Sequence, residues 1–137
     1  MQSFYVSTDN SLLNLDLIYD YLSNQSYWAT GREREVFEKS IQHSLCFGVF
    51  DMNNEQVGFA RIITDFAVFA YILDLFIIEK QRKKGLSKLL MNFMLQYEEL
   101  QMIKKWTLAT RDAHDLYKQF GFIPIKNPER HMERTVQ

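Results

Sequence analysis

The chain is poor in several things. Its single cysteine, Cys46, can close no internal disulfide and builds no cysteine-rich zinc cluster. With 2 prolines and 5 glycines in 137 residues, it is neither collagen-like nor of low complexity. No apolar run approaches the ~20 residues of a membrane-spanning helix. The opening stretch MQSFYVSTDN holds neither the basic nor the apolar region of a secretory signal. Net charge is scarce as well: 16 Lys and Arg face 17 Asp and Glu, unlike the strongly basic balance of a general nucleic-acid binder. The three histidines, His43, His114 and His131, share no metal-ligand spacing, so no metal is assigned. Bulk is abundant instead: 47% of residues are hydrophobic and 15% aromatic, enough to build a core. The expectation is one soluble, cytoplasmic domain over residues 1–137, with no nucleic-acid and no membrane partner.

Periodicity sets an element order. Residues 3–7 read as a short strand. Leu12, Leu15, Ile18, Tyr19 and Leu22 recur at three- and four-residue steps, a helical stripe, and a second helix is expected over about 32–43. LCFGVFDM and QVGFARIIT read as strands joined by the turn-forming DMNNE, and AVFAYILDLFII as a central strand buried on both faces. Leu86, Leu89, Leu90, Phe93, Met94, Tyr97 and Leu100 form a long helical stripe. KKWTLAT reads as a strand and RDAHDLYKQF as a short helix closed by Gly121. GFIPI and HMERTV can supply final strands. The order β-α-α-β-β-β-α-β-α-β places the chain in the α+β class, with a mixed, mostly antiparallel β-sheet and flanking helices.

Charge is unevenly spread. Between Lys80 and Lys88 stand five cations (Lys80, Arg82, Lys83, Lys84 and Lys88) and no acid. They follow the apolar strand and precede the long helix. A helix N-terminus offers unpaired N–H groups and a positive dipole end. Gly85 lets a ligand approach the backbone, and Ser87 is small enough not to block it. The alternative is a solvated basic turn.

The string Arg82-x-x-Gly85-x-Ser87 resembles the pyrophosphate loop of the GNAT superfamily, the acetyl-CoA-dependent N-acetyltransferases, with Ser87 where Gly or Ala is usual. A second signature, an Ala-x-x-x-Tyr helix running into Gly-Phe, is matched by Ala113, Tyr117, Gly121 and Phe122. The resemblance spans residues 45–122 and implies a GNAT fold. It also implies acetyl-CoA as the donor, bound by the backbone at Phe76, Ile77 and Ile78 and by the loop Arg82, Lys83, Lys84, Gly85, Leu86 and Ser87. Thr110 would lie near the donor, at a position where relatives often carry Asn. Tyr117 would point at the thioester sulfur, where a phenol can serve as general acid. The alternative for Tyr117 is a place in an apolar helix face.

The acceptor side stays open. Asp74 interrupts the apolar YILDLFII, where an unpaired carboxylate would be costly. It is a candidate base, an ammonium anchor, or the partner of a cation such as Arg61. Arg61 and Asp65, four apart on one expected strand, line the acceptor side or pair with each other. Tyr27 and Trp28 wall an acceptor pocket or pack on the sheet. Cys46 reads as core. The resulting expectation is direct acetyl transfer from acetyl-CoA to the primary amine of a small acceptor. The rivals are a non-catalytic acyl-CoA sensor and a protein acetyltransferase, and a homodimer is left open.

Overall fold

The structure, a computed structural model, describes residues 3–136. Five strands form one sheet in the order β1-β2-β3-β4-β5: β1 Phe4–Ser7, β2 Leu45–Asp51, β3 Gln56–Thr64, β4 Phe69–Ile77 and β5 Lys105–Leu108. The first three pairings are antiparallel and β4–β5 is parallel. A parallel pair needs a long crossover, and residues 78–104 supply it. The helices are α1 Leu15–Asp20, α2 Arg34–Gln42, α3 Leu86–Leu95 and α4 His114–Lys118. This is the α+β arrangement expected from the sequence.

Two apolar clusters fill the two faces of the sheet. Leu86, Leu90, Met91 and Met94 of α3, with Tyr117 of α4, pack on Phe47, Val49, Ile62 and Ile72. On the other face Ile18, Leu22, Phe37 and Ile41 pack on Cys46, Phe59 and Phe76. Burying each large α3 side chain is worth ~1.5–3 kcal/mol, so packing rather than propensity holds this helix. No helix among the described residues is long and apolar enough to cross a membrane.

Several boundaries differ from expectation. The α1 stripe starts at Leu15, capped by the Asn14 side chain, while Leu12 sits exposed in a 3-10 turn. The helix then widens into a π turn, Tyr21–Gln25, where the Ser26 N–H donates to the Tyr21 carbonyl at 3.0 Å. The α3 helix stops at Leu95, and a 3-10 turn carries Leu100 back into the core. β4 is central but not buried on both faces, because Tyr71, Leu73 and Leu75 alternate half-exposed with buried neighbours. No final strand forms among the described residues. Pro124 lacks the N–H a ladder needs, Asn127 turns left-handed at φ 54°, and Ile123, Ile125, Met132 and Val136 stay exposed.

Candidate functional site

β4 outruns its parallel neighbour. Pairing with β5 covers Phe69 to Ile72, so among the described residues the edge from Leu73 to Ile77 has no strand on that side. β4 is also bulged. Phe76 pairs with Phe59 and Leu73 with Arg61, which sets Asp74 and Leu75 against Ala60 alone. Asp74 takes the strain at φ 56°, a left-handed conformation that costs a non-glycine residue on the order of 1–3 kcal/mol.

Three donors hold it there. Arg61 Nε donates to Asp74 Oδ2 at 2.6 Å and Arg32 Nη1 to the same oxygen at 3.0 Å, while Trp28 Nε1 donates to Oδ1 at 2.8 Å. Burial would raise the Asp74 carboxyl, but the hydrogen bonds and charges of Arg61 and Arg32 outweigh it and hold the group below the usual carboxylate range. Of the three roles left open for Asp74, this geometry is the ion pair. Arg61 also donates from Nη1 to Ser44 Oγ at 3.1 Å. It does not pair with Asp65, which lies beyond the end of β3. The Asp65 carboxylate accepts the N–H groups of Ala67, Val68 and Phe69 and closes the β3–β4 turn, so it is not brought to the cluster.

Tyr27 and Trp28 neither pack flat on the sheet nor point into solvent alone. Their rings meet edge to face with centroids 5.1 Å apart. The Tyr27 hydroxyl accepts the Arg111 backbone N–H at 2.8 Å, and the Arg111 guanidinium lies 3.8 Å from its ring centroid. The loop between α1 and α2 is thereby tied both to the β4 bulge and to the loop entering α4.

Tyr117 follows on α4. Burial pushes its phenol up to about 12, with Tyr27 and Asp112 adding to the rise. The group therefore stays protonated at neutral pH. Its hydroxyl makes no hydrogen bond among the described residues and is not wholly sealed from solvent, since no fully buried side-chain oxygen or nitrogen among them lacks a partner. Thr110 is occupied differently: its Oγ1 accepts the Ala113 N–H at 3.1 Å and shapes the entry to α4.

The basic turn lies at the far end of the unpaired edge. Lys83 and Gly85 are left-handed, at φ 66° and 78°, with Lys84 of negative φ between them. Alternation of this kind turns backbone N–H groups toward one concave side. Gly85 enters α3 with no side-chain cap, and the first turn, which includes Ser87, holds no acid. These N–H groups and the dipole suit a phosphate. Arg82 is exposed, yet its guanidinium folds back onto the protein. Its Nη2 donates to the Tyr21 hydroxyl at 2.7 Å and its Nε to the Ile77 carbonyl at 3.2 Å. Lys84 Nζ donates to Gln81 Oε1 at 2.6 Å. Phe76 and Ile77 bury their side chains and Ile78 is half-buried, which leaves backbone as what this stretch can present.

Cys46 is core, as its apolar strand suggested. It is 1% exposed, and burial pushes its thiol up to about 12 despite the nearby Arg61. The π turn and Arg32 were not foreseen. The signal for Arg32 was present in Asp74 itself, whose burial in an apolar strand demanded more than one donor.

A bulged strand with an open edge, an uncapped helix after a basic turn and a buried tyrosine are gathered on one side of the fold's candidate site. The family model of the acetyltransferase (GNAT) domain matches residues 42–124. A crystal structure of a GNAT-family protein from Xanthomonas campestris pv. campestris is 44% identical, covers 99% of this chain and 95% of that one, and superposes with a TM-score of 0.94. A Gibberella zeae protein named as a candidate acetyltransferase is 30% identical, with 83% of this chain and 75% of the relative covered. A Clostridium acetobutylicum structure that holds acetyl-CoA shares the fold at 14% identity and a TM-score of 0.67, covering 97% and 100% of the two chains. The chain belongs to the GNAT family of acetyltransferases.

Proposed function

We propose that the protein transfers the acetyl group of acetyl-CoA directly to the primary amine of a small acceptor. One observation carries the reading. The uncapped, acid-free first turn of α3 lies at the end of a β4 edge that no strand covers. An extended pantetheine arm can add to that edge as a strand would, and a pyrophosphate fits the N–H groups of Lys83 to Ser87. The residues present fit the donor: Gly85 has no neighbour within 4 Å of where a side chain would start.

The roles follow from chemistry. Tyr117 keeps its proton and is the acid for the leaving thiolate, a contribution of ~10²–10⁴-fold where it operates. A strand N–H near Ile77 faces the developing oxyanion, since the Ile78 N–H is already donated to the Val57 carbonyl. Arg82 sets the angle between the strand end and the turn. Asp74 is a positioning residue that holds Arg32, Arg61 and Trp28 on the acceptor side. Tyr27 and Trp28 wall that side. The test pairs calorimetric titration of acetyl-CoA with thiol release in the presence of simple primary amines. Micromolar donor binding with amine-dependent thiol release is expected. Failure of acetyl-CoA to bind overturns the reading.

A further inference from the structure

Both acids that the sequence offered for a cationic acceptor are spent within the protein. Asp65 closes a turn, and Asp74 is neutralised by guanidinium groups. What remains is surplus positive charge. Arg32 and Arg61 share one carboxylate, and no other acid pairs with either among the described residues. Neither arginine is saturated. Arg61 commits Nε and Nη1, and Arg32 commits only Nη1. Their side chains are 9% and 19% exposed, so Arg32 is the more accessible of the two. A partly desolvated guanidinium with spare parallel donors is a natural clamp for a planar carboxylate.

The place is also right. Trp28 bridges Asp74 and Tyr27, and Tyr27 adjoins Arg111 in the loop that leads to the Tyr117 helix. A path of contacts thus joins the arginines to the loop that enters the Tyr117 helix.

We propose that the acceptor is a primary amine that also carries a carboxylate, gripped by the free donors of Arg32 with Arg61 behind it and Trp28 along its body. The proposal rests on the acetyl-transfer reading above. In the step itself the acceptor ammonium first gives one proton to solvent. Its nitrogen lone pair then forms the C–N bond as the C–S bond breaks. The thiolate takes the Tyr117 proton, and the nitrogen's second proton returns to Tyr117, giving an amide, a thiol and one released proton.

The experiment uses matched probes: leucine, methionine, phenylalanine and 4-aminobutyrate, each beside its carboxamide and its decarboxylated amine. The carboxylate form should exceed its partners in kcat/KM by about tenfold or more, the scale of a charge-assisted pair. Arg32→Gln should abolish that preference while leaving acetyl-CoA affinity within about twofold, and Arg32→Lys should restore part of it. A second readout needs no turnover: quenching of tryptophan fluorescence by the N-acetylated carboxylates in the presence of CoA, saturable in the wild type and lost in Arg32→Gln. Equal rates across a matched set, or preference for the decarboxylated amine, overturns the proposal and leaves acetyl transfer standing. Saturable binding of N-acetylated carboxylates without acetylation of any probe supports the clamp and sinks the transfer reading. The absence of both turnover and binding for every carboxylate probe overturns the proposal.

Discussion

Arg82 Nη2 donates to the Tyr21 hydroxyl at 2.7 Å, while the Tyr21 ring lies flat on Phe76 with centroids 4.0 Å apart. One arginine of the basic turn therefore reaches through the π turn of the first helix to the strand it came from. Its charge serves architecture before it serves any ligand. Arg82→Ala should lower unfolding free energy by about 1–2 kcal/mol and weaken acetyl-CoA binding. Tyr21→Phe, which keeps the ring stack, should cost about 0.5–1.5 kcal/mol. Urea denaturation and calorimetry measure both. A fully stable Arg82→Ala protein would contradict this tie between Arg82 and Tyr21.

Asp74 makes stability acid-sensitive. An aspartate in the unfolded chain titrates near ~3.9, and the folded group titrates lower because of Arg61 and Arg32, against its burial. Its contribution is complete above about pH 4 and is lost as pH falls through the lower folded value. Asp74→Asn should remove that acid limb from a plot of unfolding free energy against pH. Asp74→Ala should cost ~3–5 kcal/mol, because it strands two guanidinium groups. An unchanged acid limb in Asp74→Asn would assign the sensitivity elsewhere.

Tyr117→Phe should cut kcat by ~10²–10⁴-fold and leave acetyl-CoA affinity nearly intact. The pH profile adds a sharper check. An acid must be protonated to act, and burial holds this phenol up to about 12. The wild-type rate should show no fall near pH 10 that disappears in Tyr117→Phe. Such a fall would mean an unburied phenol.

Gly85 and Gly121 are both left-handed, at φ 78° and 89°, and both have open space where a side chain would go. Alanine at either should therefore cost a similar ~1–2 kcal/mol in backbone strain. Only Gly85→Ala should also weaken acetyl-CoA binding. Equal affinities of the two variants would remove Gly85 from the cradle.

The readable parts of the chain were those with strong local signals. The apolar and aromatic runs of β2 and β3, the four-residue steps of Leu86 to Met94, and the glycines after the basic turn and after α4 each state their element within one window. The boundaries followed longer-range packing instead. The α3 stripe runs to Leu100 in the sequence, yet the helix ends at Leu95 because a 3-10 turn delivers Leu100 to the same core. The acceptor side was least readable. Whether Asp74 meets Arg61, Arg32 or solvent depends on pairings across 13 and 42 residues, which no local pattern encodes. Asp65 shared a face with Arg61 only if the strand continued, and it stops at Thr64.

Cys46 has one further consequence. The sole sulfhydryl of the chain lies one strand away from Arg61, beside a centre whose product would itself be a thiol. A reactive thiolate there would invite a mixed disulfide with each released CoA. Sealed in the core and held protonated, Cys46 cannot enter that exchange, so turnover should not trap the protein on its own product.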